Sequence, residues 1–279
     1  LPELSEKFRT RRAFITGAAS GLGRSLAINL AGQGWTLALA DRDEGGLTAL
    51  KTEVLKLNSE TRAETYNFDV SDYDAFKAAA DSFVALHGGI DIGINCAGVG
   101  SGGCIDEVDI ELYRRTIAVN LMGTINGCHI FAPVMKKQKS GHILNVGSAA
   151  AFVSPPRMSA YNISKAGVLS LSETLRAELA DDNINVTVLM TTYVKTNLGK
   201  TSLGPDIYNR RAQRLMAEAE LEPDGVARTV LKAMAGGALY VVLPGQARFL
   251  WRFKRLMPNR FWRFIKNEVA KRLPQLDNQ

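Results

Sequence analysis

From Ala13 to about Val242, short apolar runs alternate with stretches of helical periodicity. Segments 12–16, 36–40, 63–68, 90–95, 142–148, 185–190 and 239–243 read as strands. Between them, 24–33, 44–58, 73–86 and 160–180 carry a 3.6-residue pattern; two helices follow 90–95, the second ending near 135–139. Strands this short and apolar, with helices between them, need cover on both sheet faces. The predicted fold is therefore α/β and doubly wound: a Rossmann-like, mostly parallel sheet with right-handed crossovers.

No Pro/Gly/Ser-rich linker interrupts the pattern, so 1–244 reads as a single catalytic domain. Region 192–223 is the largest irregular stretch, with a short helix expected around 208–218, and it reads as a substrate loop. No uninterrupted apolar run reaches 18 residues, which argues against a conventional membrane span, and no secretory signal is evident. A cytoplasmic protein, peripherally membrane-associated at most, is the expectation. With 46% hydrophobic and 22% charged residues the chain can build a substantial core. Cys96, Cys104 and Cys128 have no repeated spacing, and His87, His129 and His142 are scattered, so neither disulfide nor metal is expected.

The net charge of +6 is localised. Residues 245–279 hold nine Lys or Arg against two acids, leaving the rest of the chain near neutrality. In this extension Phe249, Phe253 and Leu256, then Phe261, Ile265 and Val269, recur at helical spacing, with Pro258 dividing two short helices. A basic amphipathic extension with Trp and Phe can lie on an anionic membrane. It can equally pack on its own body or a neighbouring subunit. Nucleic acid is a poor match, because no recognition module accompanies the basic residues.

Thr16-Gly17-Ala18-Ala19-Ser20-Gly21-Leu22-Gly23 follows the first strand and opens into a helix. A tight turn at Gly17, close backbone approach at Gly21 and close packing at Gly23 would aim the first-turn N–H groups at a pyrophosphate. Gly17, Ser20, Gly21, Leu22 and Gly23 are thus candidate cofactor contacts. Asp41, 18 residues past Gly23, ends the second strand, where it can accept from an adenosine ribose and repel a 2′-phosphate. Arg42 pulls the other way, toward NADP; the pair favours NAD. Asp69 could meet the adenine amino group, and Asn95-Cys96-Ala97-Gly98 lets the fourth loop approach the cofactor.

Tyr161 and Lys165 stand one helical turn apart at the start of a long helix. Alone, that spacing is common on solvated helices. Ser148 at the fifth strand's end and Asn120 in an amphipathic helix change its weight. A tyrosine titrates near 10, too high for a base at neutrality unless a neighbouring ammonium favours the phenolate. Ser148 would hold the substrate oxygen, Lys165 would lower the tyrosine's pKa and grip a ribose, and Asn120 would order a water for proton relay.

Taken together, TGAASGLG at 16–23, Asp41, Asp69-Val70, Asn95-Cys96-Ala97-Gly98, Asn120, Ser148 and Tyr161-Asn-Ile-Ser-Lys165 resemble the short-chain dehydrogenase/reductase family over roughly 11–243. The resemblance implies a seven-stranded sheet, a homodimer or homotetramer, and a catalytic tetrad of Asn120, Ser148, Tyr161 and Lys165. It also implies cofactor contacts at Val70, Ala97, Gly98, Val194 and Thr196. One departure stands out. Met190-Thr191-Thr192-Tyr193 replaces the family's usual Pro-Gly pair, placing an aromatic ring where the substrate loop begins. Candidate substrate contacts are Ser148, Ala150, Phe152, Tyr161 and Tyr193, mostly apolar. The expected protein is an NAD-dependent oxidoreductase interconverting a lipophilic secondary alcohol and its ketone. An NADPH-dependent ketone or oxoacyl reductase is the alternative within enzymology, and a catalytically idle nucleotide-binding scaffold is the alternative outside it.

Overall fold

The computed structural model describes residues 4–272. Strands β1 (Arg12–Thr16), β2 (Thr36–Asp41), β3 (Arg62–Asn67), β4 (Ile92–Asn95), β5 (Gly141–Val146), β6 (Ile184–Thr191) and β7 (Tyr240–Leu243) form one sheet. Their order is β3-β2-β1-β4-β5-β6-β7, and every neighbouring pair is parallel. The chain winds outward from β1 to β3, then returns across the sheet to β4. A crevice therefore opens beyond the carboxyl ends of β1 and β4, where loops leave in opposite directions.

Twelve helices accompany the strands among the described residues: α1 (Leu4–Lys7), α2 (Gly21–Ala31), α3 (Glu44–Val54), α4 (Tyr73–His87), α5 (Ile110–Ile117), α6 (Gly123–Gln138), α7 (Ala150–Val153), α8 (Ser159–Glu178), α9 (Asp206–Ala217), α10 (Pro223–Ala235), α11 (Gly245–Leu256) and α12 (Pro258–Arg272). Alternation along β1 shows how the layers form. Ala13 and Ile15 face a core shared with α2 and α10, whereas Phe14 faces one shared with α4 and α6. Phe14 lies 5.6 Å from Phe76 and 5.5 Å from Phe131, centroid to centroid. Burying each such side chain contributes about 1.5–3 kcal/mol. Asp43, Asp72 and Asp109 start three helices by accepting from free backbone N–H groups, which fixes where the preceding loops end.

Two expectations need correction. Helix α2 begins at Gly21, inside the glycine motif, so its first turn belongs to the loop. The two helices expected after β4 are one continuous helix, Ile110–Gln138, carried through Ala118–Met122 by a π-turn. By length and composition this helix could cross a membrane, although half of its most apolar stretch is buried in the fold. A short α1 also precedes β1, burying Leu4.

The extension folds as two helices on either side of Pro258. Helix α11 lies on α7 and β7: Ala247 is buried, and Leu250 and Trp251 pack against Phe152, Val188 and Val242. Trp251 also meets Tyr240, and Arg255 covers the Trp251 ring at 4.3 Å while pairing with Glu173. Helix α12 folds back through Phe261, which is fully buried and lies edge-on to Phe253. The side chain of Val269 lies outside the described residues.

Candidate active site

The phosphate loop is built by close approach. Gly17 has φ +68, and a Cβ there would stand 2.8 Å from the Ala97 backbone. A Cβ at Gly23 would overlap the Gly17 carbonyl. Any side chain at either position would push the loop off its strand. Ser20 occupies the N-cap of α2 without spending its hydroxyl on the helix, so the N-terminal N–H groups stay directed at the crevice. Thr16 was not singled out by the motif. Its hydroxyl accepts from the Cys96 and Ala97 amides at 3.1 and 3.3 Å and ties the β4 loop to the β1 loop.

Asp41 reaches the rim of this crevice. One carboxylate oxygen accepts from Ala19 N at 3.0 Å and the other from Asp43 N at 3.1 Å, which orients the group across the loop. Arg42 beside it is exposed. Asp69 accepts from Ser71 and from Arg115 (2.7 Å), and its pKa stays low despite burial. Four acceptor positions leave it capacity for a further donor. Val70 packs its side chain against Gly123 at the start of α6, its carbonyl accepts from Asn126 Nδ2 at 2.9 Å, and Leu22 is likewise buried. Asn95 is the residue the fold turns away. Its side chain is buried and donates to Asn145 at 2.9 Å beneath α6, so it supports β4 and β5 from inside the core.

The π-turn delivers Asn120. Inserting one extra residue into a helical turn swings a side chain out of the i, i+4 ladder, a device found often at functional sites. Here the fully buried Asn120 amide donates to Val99 O (2.9 Å) and accepts from Val99 N (2.8 Å). It also donates to the Ser164 hydroxyl at 3.2 Å, and Ser164 donates to the Tyr161 carbonyl at 2.8 Å. The Asn120 side chain thereby clamps the β4 loop to α8. A Cβ on Gly98 would sit 3.1 Å from Asn120 Oδ1 and 3.7 Å from Lys165 Nζ, so the clamp and the lysine share one small space.

Ser148 and Tyr161 meet from different elements, the end of β5 and the first turn of α8. A hydrogen bond between them favours the phenolate, but burial wins and pushes the Tyr161 phenol up to about 12. Burial pushes the Lys165 ammonium the other way, down to about 8. Lys165 Nζ donates to the Val146 carbonyl at 2.8 Å and stands 5.8 Å from the Tyr161 ring centre. Burial outweighs the lowering expected from the lysine in this arrangement, in which the ammonium faces a carbonyl and desolvation dominates both groups. The chemistry on offer is a neutral phenol able to donate, beside an amine able to exchange its proton near neutrality.

Beyond this group lies the candidate substrate wall. Ala150 and Phe152 are buried; Phe152 packs with Val168 and Met190 instead of facing the crevice. Tyr193 does face outward, 37% exposed, and lies close enough to Tyr161 to disfavour a second phenolate there. Val194 is buried and bridges to Leu221, while the Thr196 side chain abuts Gly21, joining the substrate loop to the phosphate loop. Three loops close over the site: Gly102 N donates to Leu203 O at 3.1 Å and Gly103 N to Arg157 O at 2.8 Å. On their outer side is a groove of about 460 Å³, lined by Cys104, Ile105, Pro156 and Arg157 among others.

Comparison with known proteins bears on this geometry. Residues 11–204 match the family model described as short chain dehydrogenase. SadH of Mycobacterium tuberculosis is 30% identical over 272 residues, spanning 96% of this chain and 98% of its own. A short-chain dehydrogenase/reductase from Burkholderia phymatum, solved in complex with NAD, superposes with a TM-score of 0.82 at 30% identity over 88% of this chain and 92% of that one. A short-chain dehydrogenase from Sphingobium yanoikuyae, solved with NADPH, gives 0.74 at 27% identity over 85% and 90%. Such agreement in sequence and fold leaves one assignment: the chain belongs to the short-chain dehydrogenase/reductase family of oxidoreductases.

Proposed function

We propose that this oxidoreductase interconverts a lipophilic secondary alcohol and its ketone with NAD, using Tyr161 as the acid–base residue. The observation that carries the reading is the convergence of Ser148, Tyr161 and Lys165 from separate elements, beside a glycine loop whose geometry leaves room only for backbone. A nicotinamide nucleotide, held by the β1, β2 and β4 loops and by Val194 and Thr196, would accept or supply the hydride. The chain manages orientation and the proton. Ser148 Oγ and Tyr161 Oη hold the substrate oxygen between them. In reduction the phenol gives its proton to that oxygen as charge develops there. In oxidation the phenolate form takes the alcohol's proton, its own having passed first to the neutral Lys165 amine. Asn120 acts through position, keeping the β4 loop fixed against α8.

Asp41 favours NAD, since its oriented carboxylate would face a 2′-phosphate. The exposed Arg42 keeps an NADPH-dependent ketone or oxoacyl reductase as the second reading. The apolar character of the wall at Tyr193 and the outer groove supports a lipophilic substrate. In this reading 1–244 is the catalytic domain, 245–279 an extension that contacts an anionic membrane surface from the cytoplasmic side, and the protein a homodimer or homotetramer. Initial rates over a panel of secondary alcohols and ketones, followed by NADH and NADPH absorbance, test it. Faster turnover of aryl or long-chain alcohols with NAD is expected. A strong NADP preference would overturn the cofactor assignment, and no turnover of any alcohol or ketone would favour the idle scaffold.

A further inference from the structure

Helices α11 and α12 have two unlike sides. The inner side is spent on the protein: Ala247, Leu250, Trp251, Phe261 and Ile265 are covered wholly or in part. Arg255 pairs with Glu173, and Lys254 Nζ donates at 2.6 Å to the Phe152 carbonyl. The second contact places the extension on α7, the helix that directly follows Ser148.

The outer side is not spent. Phe249 is 66% exposed, Leu256 78% and Phe264 41%, an apolar face that a water-facing helix pair has no reason to keep. Phe249, Phe253 and Phe264 run across both helices with ring centres 5.9 and 6.1 Å apart, so the exposed rings form one patch. Arg252 shares a helix face with Phe249 and Leu256, and Arg260 shares one with Phe264. Both arginines are exposed, and neither has an ion pair among the described residues. No Asp or Glu occurs anywhere between Gly245 and Asn267.

We propose that this outer face docks the protein on an anionic lipid surface, with Phe249 and Phe264 entering the headgroup boundary and Arg252 and Arg260 contacting lipid phosphates. Bulky rings interleaved with guanidinium groups match a layer that is apolar just below a negative surface. A second copy of the chain fits poorly, because apposing two such faces would bring like charges together with no acid between them. Through the Lys254 to Phe152 contact, docking holds the α7 flank of the site at the bilayer, where a lipophilic alcohol is concentrated. That purpose rests on the lipophilic-substrate reading; the docking does not.

Flotation of the full chain with phosphatidylcholine vesicles, with and without phosphatidylglycerol, tests the proposal without any substrate. Wild type should float only with the anionic vesicles. Arg252→Gln with Arg260→Gln should weaken binding by about 30-fold, from roughly fivefold per arginine. Phe249→Ser with Phe264→Ser keeps the charge, and should weaken it at least about tenfold. Melting curves matched to wild type establish that the variants are folded; the arginine pair, on exposed positions, guards against loss of fold in the other. Equal binding to neutral vesicles, wild type left in solution, or arginine variants that bind like wild type would each overturn it. So would binding that ignores the loss of both phenylalanines and is competed away by polyphosphate, the mark of an acidic-polymer site. Docking without turnover of any alcohol would count against the function reading alone.

Discussion

The two walls of the crevice are made differently. On the nucleotide wall the chain approaches itself so closely that Gly17 and Gly23 admit no side chain, and Thr16 and Asp41 tie loop to loop through backbone amides. On the candidate substrate wall the visible surface is side chain: Tyr193 stands out, while Phe152 and Ala150 are buried. A wall of backbone presents the same N–H groups whatever the sequence around it, and so suits a ligand shared by a whole family. A wall of side chains can change without disturbing the fold, and so suits a ligand peculiar to one member. Tyr161 stands at the seam.

If the walls differ in this way, the same small change should cost very different amounts on each. Gly23→Ala places a methyl group against the Gly17 carbonyl, so we expect about 1–3 kcal/mol lost in thermal unfolding and nucleotide binding cut sharply in a fluorescence titration. Wild-type affinity in that variant would contradict so close an approach of the loop to its strand.

A prediction at the seam concerns pH. Lys165 loses its proton near 8, well below an ordinary lysine. Alcohol oxidation, which must release a proton, should rise with pH through about 8, and ketone reduction should fall over the same interval. Lys165→Met should flatten both limbs and slow turnover by about 100-fold or more. The sign for stability follows from the same depression. The unfolded chain binds the extra proton, so burial of Lys165 destabilises the fold below about 8, and that cost disappears as pH rises toward the unfolded value near 10.4.

Smallest of all should be Tyr193→Ala on the substrate wall. Its ring is 37% exposed on the candidate substrate wall, so the proposed substrate contact predicts that KM for aryl or long-chain alcohols rises about two- to tenfold, with kcat for a short alcohol unchanged and the melting temperature little changed.

Much of the nucleotide wall was legible in the sequence because its logic is local: glycines beside a strand, a carboxylate at the next strand's end. The parallel seven-stranded sheet followed from short apolar strands that could be counted along the chain. What stayed hidden depends on partners far away in sequence. Asn120 and Val99 are 21 residues apart, and only the fold reveals that the amide clamps that loop. The π-turn that aims it has no signature in the apolar pattern, which is why one continuous helix read as two. Thr16 reaches the Cys96 amide, 80 residues away, and a threonine at a strand end gives no hint of it. Asn95 looked like a cofactor contact because it shares a loop motif with Ala97 and Gly98; strand alternation put its side chain on the other face. Periodicity marked the extension as amphipathic, yet which side meets α7 is a matter of tertiary contact.

The central claim is that Tyr161 transfers the proton in an otherwise intact nucleotide site. Initial rates with NAD and an aryl or long-chain secondary alcohol, for wild type and Tyr161→Phe, together with nucleotide titration of both, test it most directly. The account predicts turnover reduced by about 1,000-fold or more while nucleotide affinity stays within about threefold. Turnover by Tyr161→Phe at the wild-type rate would contradict it.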